Sequence, residues 1–418
     1  MKSSGVEWIG EIPEEWEVKR GKELFFEIND RCKNPENYPL LSVSEYYGVA
    51  PKSEKIDEGD FITHAETLDG YKICQEGDIV QNIMLAWKRA TGMSNYEGLI
   101  SPAYCIYRPF KGVDSKYYHY LFRTDVYADL FKQFSTGIID SRLRLYPAKF
   151  LSLKYAYPPK STQQHIASYL DKKCSKIEET IQNQQQVIEK LKTYKQSLIT
   201  EAVTGKIKIQ NEIPDFKYCN LGFIAEFKNG LNYNASDFGT EVKFLGVGDF
   251  QNYLVLNDES MFSNIITDTE IEDDYYLKNG DIIFVRSNGS KELVGRAIMV
   301  DNIDFKVTYS GFCIRLRNKE PQKINSKFLL YFFRSDHFRN ELQRLSQGSN
   351  ISNINQDLLS HIKIPLVEMR FQESVIDFLN KKCTAIDTAI EQKQNLIEKL
   401  TEYKKSLIYE CVTGKKEI

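Results

Sequence analysis

No cysteine in this 418-residue chain lies in a C-x-x-C pair. Cys32, Cys74, Cys105, Cys174, Cys219, Cys313, Cys383 and Cys411 are scattered. A zinc site takes its ligands from short hooks, so this spacing argues against a structural metal and for buried thiols. Histidine is scarce, at five residues. No apolar run reaches the about 20 residues that cross a bilayer. Met1–Pro13 lacks the basic-then-apolar order of a signal peptide, so a cytoplasmic protein is expected. There is no Walker A pattern, which leaves ATP-driven translocation out of this chain, and no G-x-S-x-G nucleophile elbow. An excess of positive charge is also missing. Lys and Arg number 55 against 58 Asp and Glu, a net charge of −3. Phosphate binding needs cations on the binding face. Any nucleic-acid surface must therefore be segregated or completed by a partner, and the acidic run Asp268–Asp274 should face away from it.

Two stretches imitate active sites. Tyr157-Pro158-Pro159-Lys160 has the paired prolines of an amino-methyltransferase motif without its polar first residue or closing aromatic, and reads better as a helix entry. Asp215 with Glu241 and Lys243 mimics the PD…ExK arrangement that holds Mg²⁺ in nucleases. The match falls where a repeat begins, so it reads as accidental.

What the chain does have is a duplication. Leu170–Lys206, LDKKCSKIEETIQNQQQVIEKLKTYKQSLITEAVTGK, aligns without a gap with Leu379–Lys415, LNKKCTAIDTAIEQKQNLIEKLTEYKKSLIYECVTGK. The offset is 209 residues, and 21 of 37 positions are identical. Upstream, SKYYHYLFRTD from Ser115 matches SKFLLYFFRSD from Ser326, and Gly77-Asp78-Ile79-Val80 matches Gly280-Asp281-Ile282-Ile283. Each copy opens on the same tripeptide, Glu11-Ile12-Pro13 and Glu212-Ile213-Pro214. The layout is domain, helix, domain, helix: residues 1–157, 158–209, 210–364 and 365–418.

The repeated helices carry a heptad seam, apolar at alternating steps of four and three. It runs through Leu170, Ile177, Ile181, Ile188, Leu191 and Leu198, and again through Leu379, Ile386, Ile390, Ile397, Leu400 and Leu407. Gln184, Lys195, Lys393 and Lys404 interrupt it, either as register-setting polar positions or because the seam drifts toward Val187 and Tyr194. Two like halves pair most simply about a pseudo-two-fold axis, with the helices antiparallel and a domain at each end. Ser161 with Gln164 offers a capping box, and Gly205 and Gly414 offer stops.

The domains read as mixed strand and helix, giving an α+β class: two similar α/β domains and two long coiled-coil helices. Gly77-Asp78 and Gly280-Asp281 are turns that open strands. Ser115 onward reads as one helix ending near Gly137. Phe312–Arg317 alternates like a strand with one solvated face. After the strands come loops rich in side chains that reach base edges and phosphates. In the first copy these are Trp87-Lys88-Arg89 and Ser141-Arg142-Leu143-Arg144. In the second they are Arg286-Ser287-Asn288-Gly289-Ser290-Lys291 and a loop with Asn350, Ser352 and Asn353. Each alone is an ordinary solvated loop; their recurrence at matching places makes them candidate DNA-binding residues.

These residues resemble the specificity subunits of type I restriction-modification systems. The resemblance lies in the opening GVEWIGEIPEEWEVKR, in GDIVQNIMLAWKRATG with GLISPAYCIYRP, in GDIIFVRSNGS, and in helices ending LIxxxVTGK. Ile364-Pro365-Leu366-Val367 stands where the family usually has a doubled proline. The resemblance implies two target-recognition domains, each reading half of a two-part double-stranded DNA site. It implies helices that hold the domains apart and dock two modification (methyltransferase) subunits. S-adenosylmethionine, ATP and Mg would then sit on those and on restriction subunits, with no cofactor, metal or catalytic residue in this chain. The competing readings are a coiled-coil scaffold for two protein-binding domains and, behind it, a stand-alone Mg-dependent nuclease.

Overall fold

A computed structural model describes residues 1–32, 35–54, 68, 70–209, 215–232, 239–250, 253–268, 270–287, 289–290, 292–345 and 353–418. Glu212-Ile213-Pro214, Asn288, Lys291, Asn350 and Ser352 lie outside the described residues. The chain divides into two compact units. The first is residues 1–184 with residues 395–418, and the second is residues 185–394.

The first unit is built on a four-stranded antiparallel sheet in the order Phe25–Ile28, Tyr104–Pro109, Ile79–Asn82, Thr91–Met93. Gly77, at φ +87°, makes the turn that a residue with a Cβ would resist, and Ile79–Asn82 follows it. Asp78 is buried there for a reason the turn alone does not give. Its carboxylate accepts from the Gln75 N–H at 2.9 Å and from Arg108 Nε and Nη2, each at 2.9 Å. A buried carboxylate held in this forked way costs little of the usual desolvation penalty.

The single helix expected from Ser115 is two, Ser115–Phe122 and Asp125–Gln133. The break is made by side chains that compete for the backbone. The Thr124 hydroxyl donates to the Leu121 carbonyl at 2.9 Å, and Arg123 donates to the carbonyls of Ser44, Glu45, Tyr46 and Arg89. Burial pushes the Arg123 pKa down to about 10. Phe122 packs against the rings of Phe25, Phe131, Phe150 and Tyr155.

The second unit repeats the plan with one strand more. Its sheet runs Ala225–Asn229, Cys313–Asn318, Ile282–Val285, Ala297–Val300, Val255–Leu256, antiparallel but for the last pair. Gly280, also at φ +87°, precedes Asp281, which Arg317 grips at 2.9 and 2.7 Å. Helices Ser326–Phe333 and Asp336–Leu345 show the same break. The strand expected to have one solvated face has none over most of its length. Cys313–Leu316 is buried throughout, and Arg315 is 0% exposed. Alternation misled because a buried arginine can be paired at its two terminal nitrogens: Nη1 reaches the Asp274 carbonyl at 2.6 Å and Nη2 the Glu226 carboxylate at 3.0 Å, while Nε has no partner among the described residues. Asp274, from the acidic run, also binds Lys228 at 2.5 Å.

The two long helices are Lys160–Val203 and Met369–Val412. Ser161 therefore sits inside the first turn. Gly205 and Gly414 both take left-handed backbone, and the next N–H closes onto Glu201 and Glu410 at 2.9 Å. The helices pair antiparallel within each unit. In the first, Leu170, Ile177, Leu407, Cys411 and Val412 are buried in one core, with Ile181 and Leu400 against it, and Ile397 is half-buried. In the second, Leu198, Leu379 and Ile386 are buried with Leu191 and Ile390 alongside, and Ile188 is buried. The lysines of the seam meet acids on the facing helix: Lys404 binds Glu178, and Lys195 binds Asp387 at 2.6 Å. Tyr194 is exposed, so the seam does not drift onto it.

Candidate nucleic-acid interface

In the first unit the strand Ile79–Asn82 runs into a short turn, Ala86–Lys88, that carries the first candidate loop. Trp87 is anchored by its indole N–H to the Met84 carbonyl at 3.0 Å. Lys88 is exposed beside it. Arg89 adopts left-handed backbone at φ +67°, ion-pairs with Asp125, and gives its carbonyl to Arg123. The second loop leaves the helix Asp125–Gln133 and returns through a bridge between Thr136 and Arg144. Ser141 and Arg142 are exposed on its turn. Arg144 is half-buried, and its Nη1 donates to the Leu143 carbonyl at 2.8 Å.

These two loops are brought together. The Leu145 N–H donates to the Ile83 carbonyl at 2.9 Å. Lys132 joins them again, with its ammonium 4.8 Å from the Trp87 ring and 2.9 Å from Asp140.

The second unit makes the same junction. Arg286 follows the strand Ile282–Val285, and Ile354 N–H donates to its carbonyl at 2.9 Å. Counted along the matching strands, Arg286 corresponds to Ile83, and Ile354 to Leu145. Ser287 bridges Asn353, so the described ends of the two candidate loops meet here as well. The Arg286 N–H binds the Phe312 carbonyl at 2.7 Å, and its guanidinium reaches the Gly311 carbonyl at 3.4 Å. Ser290 is exposed. Phe312 itself is 58% exposed at this hub, a residue the alternation argument had assigned to a strand.

A second matched feature was not legible as a site. In the first unit a groove between the helix pair and the domain is lined by Tyr120, Arg123, Asp171, Cys174, Glu178 and Lys404. In the second unit, Tyr331, Arg334, Asn380, Cys383, Asp387 and Lys195 line its counterpart. The correspondence holds residue by residue, at offsets of 211 or 209. The Tyr120 hydroxyl donates to Asp171 at 2.8 Å, and that of Tyr331 to Asn380 at 2.7 Å. Burial raises both tyrosine pKa values and lowers that of Arg334 to about 10. The signal was present in the sequence as the shared Tyr-x-x-Arg of SKYYHYLFRTD and SKFLLYFFRSD.

No group of three or more His, Cys, Asp or Glu is placed to hold a metal ion among the described residues. Of the nuclease-like trio, Glu241 and Lys243 share the strand Thr240–Leu245, and Lys243 faces Glu259 at 3.5 Å. Asp215 precedes a strand of a different sheet, Lys217–Asn220. No helix among the described residues is long and apolar enough to cross a membrane.

Residues 214–401 match the family model of the type I restriction modification DNA specificity domain. The chain is similar to the StySPI type I restriction enzyme specificity subunit of Salmonella potsdam, 26% identical over 380 residues, 86% of this chain and 79% of that one. It is similar to the EcoKI specificity subunit of Escherichia coli strain K12, 24% identical over 97% of this chain and 90% of that one. In structure it resembles the HsdS subunit from Thermoanaerobacter tengcongensis, with a TM-score of 0.59 and 13% identity over the whole of both chains. A chain from a structural study of type I R-M complex assembly and conformational transition gives a TM-score of 0.73 at 12% identity, covering 96% of this chain and 98% of that one. At these identities the structural likeness concerns the fold.

Proposed function

We propose that this chain, whose residues 214–401 match the type I restriction modification DNA specificity domain and which is similar over most of its length to type I specificity subunits, reads a two-part DNA site for partner enzymes, one half with each unit. The carrying observation is the junction made twice. In each unit the described segments adjoining the two polar loops are joined by the same backbone hydrogen bond, Leu145 to Ile83 and Ile354 to Arg286. Described side chains suited to base edges and phosphates, among them Lys88 and Arg286, lie close after strands of the two sheets, as sequence readout requires.

Residues 1–157 and 210–364 are the two target-recognition domains, and 158–209 and 365–418 the spacer helices. Lys88, Arg89, Ser141, Arg142 and Arg144 meet one half-site. Arg286, Ser287, Asn288, Ser290, Lys291, Asn350, Ser352 and Asn353 meet the other. An arginine suits guanine O6 and N7, and an asparagine suits adenine. The chain supplies recognition and no chemistry. The methyl donor S-adenosylmethionine belongs to two modification subunits, and ATP and Mg to restriction subunits. The recurring groove favours that stoichiometry, because two equal surfaces take two equal partners. Partner cations would also relieve the net charge of −3.

The test is an electrophoretic shift of the assembled methyltransferase on a two-part site, repeated over rising salt. Counterion release makes DNA binding fall steeply with salt. A protein-binding scaffold would give no salt-sensitive, site-dependent shift.

A further inference from the structure

Ile138 is 100% exposed and Ile139 53% exposed, at the tip of a loop that is tightly held. Thr136 and Arg144 exchange both backbone hydrogen bonds, at 2.9 and 3.0 Å, and the Arg142 N–H closes onto the Ile139 carbonyl at 2.8 Å. Gly137 sits at φ +154° under the Arg142 carbonyl, where a Cβ would come within 2.6 Å of the oxygen. Leu143 and Leu145 root the loop in the interior, and Lys132 staples it through Asp140. The tip is therefore positioned before anything binds, and its two β-branched side chains contribute nothing to the core.

The surroundings identify the occupant. From Lys132 to Lys149 the segment carries Lys132, Arg142, Arg144 and Lys149 against one carboxylate, Asp140, which Lys132 already neutralises. This is a basic segment in a chain of net charge −3. Centres of protein–protein interfaces are depleted of charge, whereas an apolar tip on a basic segment suits a base stack flanked by phosphates.

We propose that Ile138 is an apolar wedge that enters the base stack of the DNA half-site read by the first unit. It unstacks one base step while Arg142 and Lys149 hold the adjoining phosphates. The inference rests on the DNA-reading function proposed above. Its test uses the complete chain assembled with its modification subunits. The probe is duplex DNA carrying 2-aminopurine at successive positions of the first unit's half-site, because that base brightens when unstacked.

Wild type should brighten one position. Ile138→Ser should abolish the rise and weaken specific binding on the order of tenfold, the value of burying one aliphatic side chain. Ile138→Leu should restore both, with unfolding temperatures unchanged because the side chain is solvent-exposed. Equal brightening and affinity in Ile138→Ser, or no brightening with tightly bound wild type, overturns the wedge. So does a failure of Ile138→Ser to assemble with the modification subunits, which would make the tip a protein contact. If wild type itself shows no salt-sensitive binding to a two-part site, the DNA-reading function fails first and takes the wedge with it.

Discussion

Gln163 and Gln372 make the same three hydrogen bonds, 209 residues apart in the chain. Gln163 accepts from the Asp114 N–H at 2.8 Å and donates to the carbonyls of Gly112 and Pro158 at 3.3 and 2.8 Å. Gln372 accepts from the Asn325 N–H at 2.8 Å and donates to those of Lys323 and Val367 at 2.9 and 2.8 Å. Both are fully buried. Asp114 and Asn325 in turn cap the helices that begin at Ser115 and Ser326. One amide thus fixes a long helix, the turn before it and a domain helix to one another. Gln163→Met, similar in volume, should leave buried backbone groups unpaired and cost about 2 kcal/mol or more. Denaturant unfolding reads the loss; a cost below about 0.5 kcal/mol would remove the glutamine from this role.

Arg286→Ala addresses readout in the second unit. If the side chain makes a bidentate contact with a guanine, specific binding should weaken by about 1–3 kcal/mol and the preference at one position should relax. A phosphate contact would weaken all sequences alike and flatten the salt dependence. Binding and salt slope both unchanged would mean that this guanidinium does not reach DNA.

Exchanging residues 12–157 for the matching part of a related subunit tests the independence of the two readers. Methylome sequencing of the hybrid should show one half-site altered and the other kept. A change in both halves would count against two separate recognition domains.

His119 gives the first unit a pH dependence. Its ring Nδ1 accepts from the Met93 N–H at 3.2 Å, which requires an unprotonated nitrogen. Burial, with Arg123 and Lys116 nearby, pushes its pKa from 6.5 down to about 3. Between those values the unfolded chain binds the proton and the folded chain does not, so stability is present above pH 6.5 and lost as pH falls toward 3. Wild type should lose more melting temperature between about pH 7 and about pH 5 than His119→Gln, whose amide carries no titrating charge. Parallel losses in the two proteins would contradict this.

Much of the architecture was legible because the duplication is written twice. The heptad seam from Leu170 and from Leu379 is a one-dimensional signal, and Gly77 and Gly280 mark turns by chemistry alone. Gln163 was legible too and was missed: it lies seven residues before Leu170, on the same seam, and recurs as Gln372. The helix break at Arg123 and Arg334 was not, since it depends on carbonyls up to 81 residues away in the chain, such as that of Tyr253. Nor was the burial of Arg315, because a cation in a strand looks solvated until Glu226 and Asp274 come near it. The candidate loops were found by position, but the junctions that bring them together are backbone contacts that no residue type announces.

The first unit closes only when residues 395–418 join residues 1–184. Leu407, Cys411 and Val412 belong to its core, the Tyr117 hydroxyl binds the Val412 carbonyl at 2.8 Å, and Gly414 lies against Pro13 and Trp16. Residues 185–394 form the second unit without interruption. On a ribosome adding about 5–20 residues each second, the interval between Gln184 and Asn395 lasts roughly 10 to 40 s. Through that time the half synthesised first waits, with Tyr117 and Leu170 uncovered, while the half synthesised second has all its residues in hand. A stop within residues 395–418 therefore strikes the unit whose residues 1–184 are synthesised first.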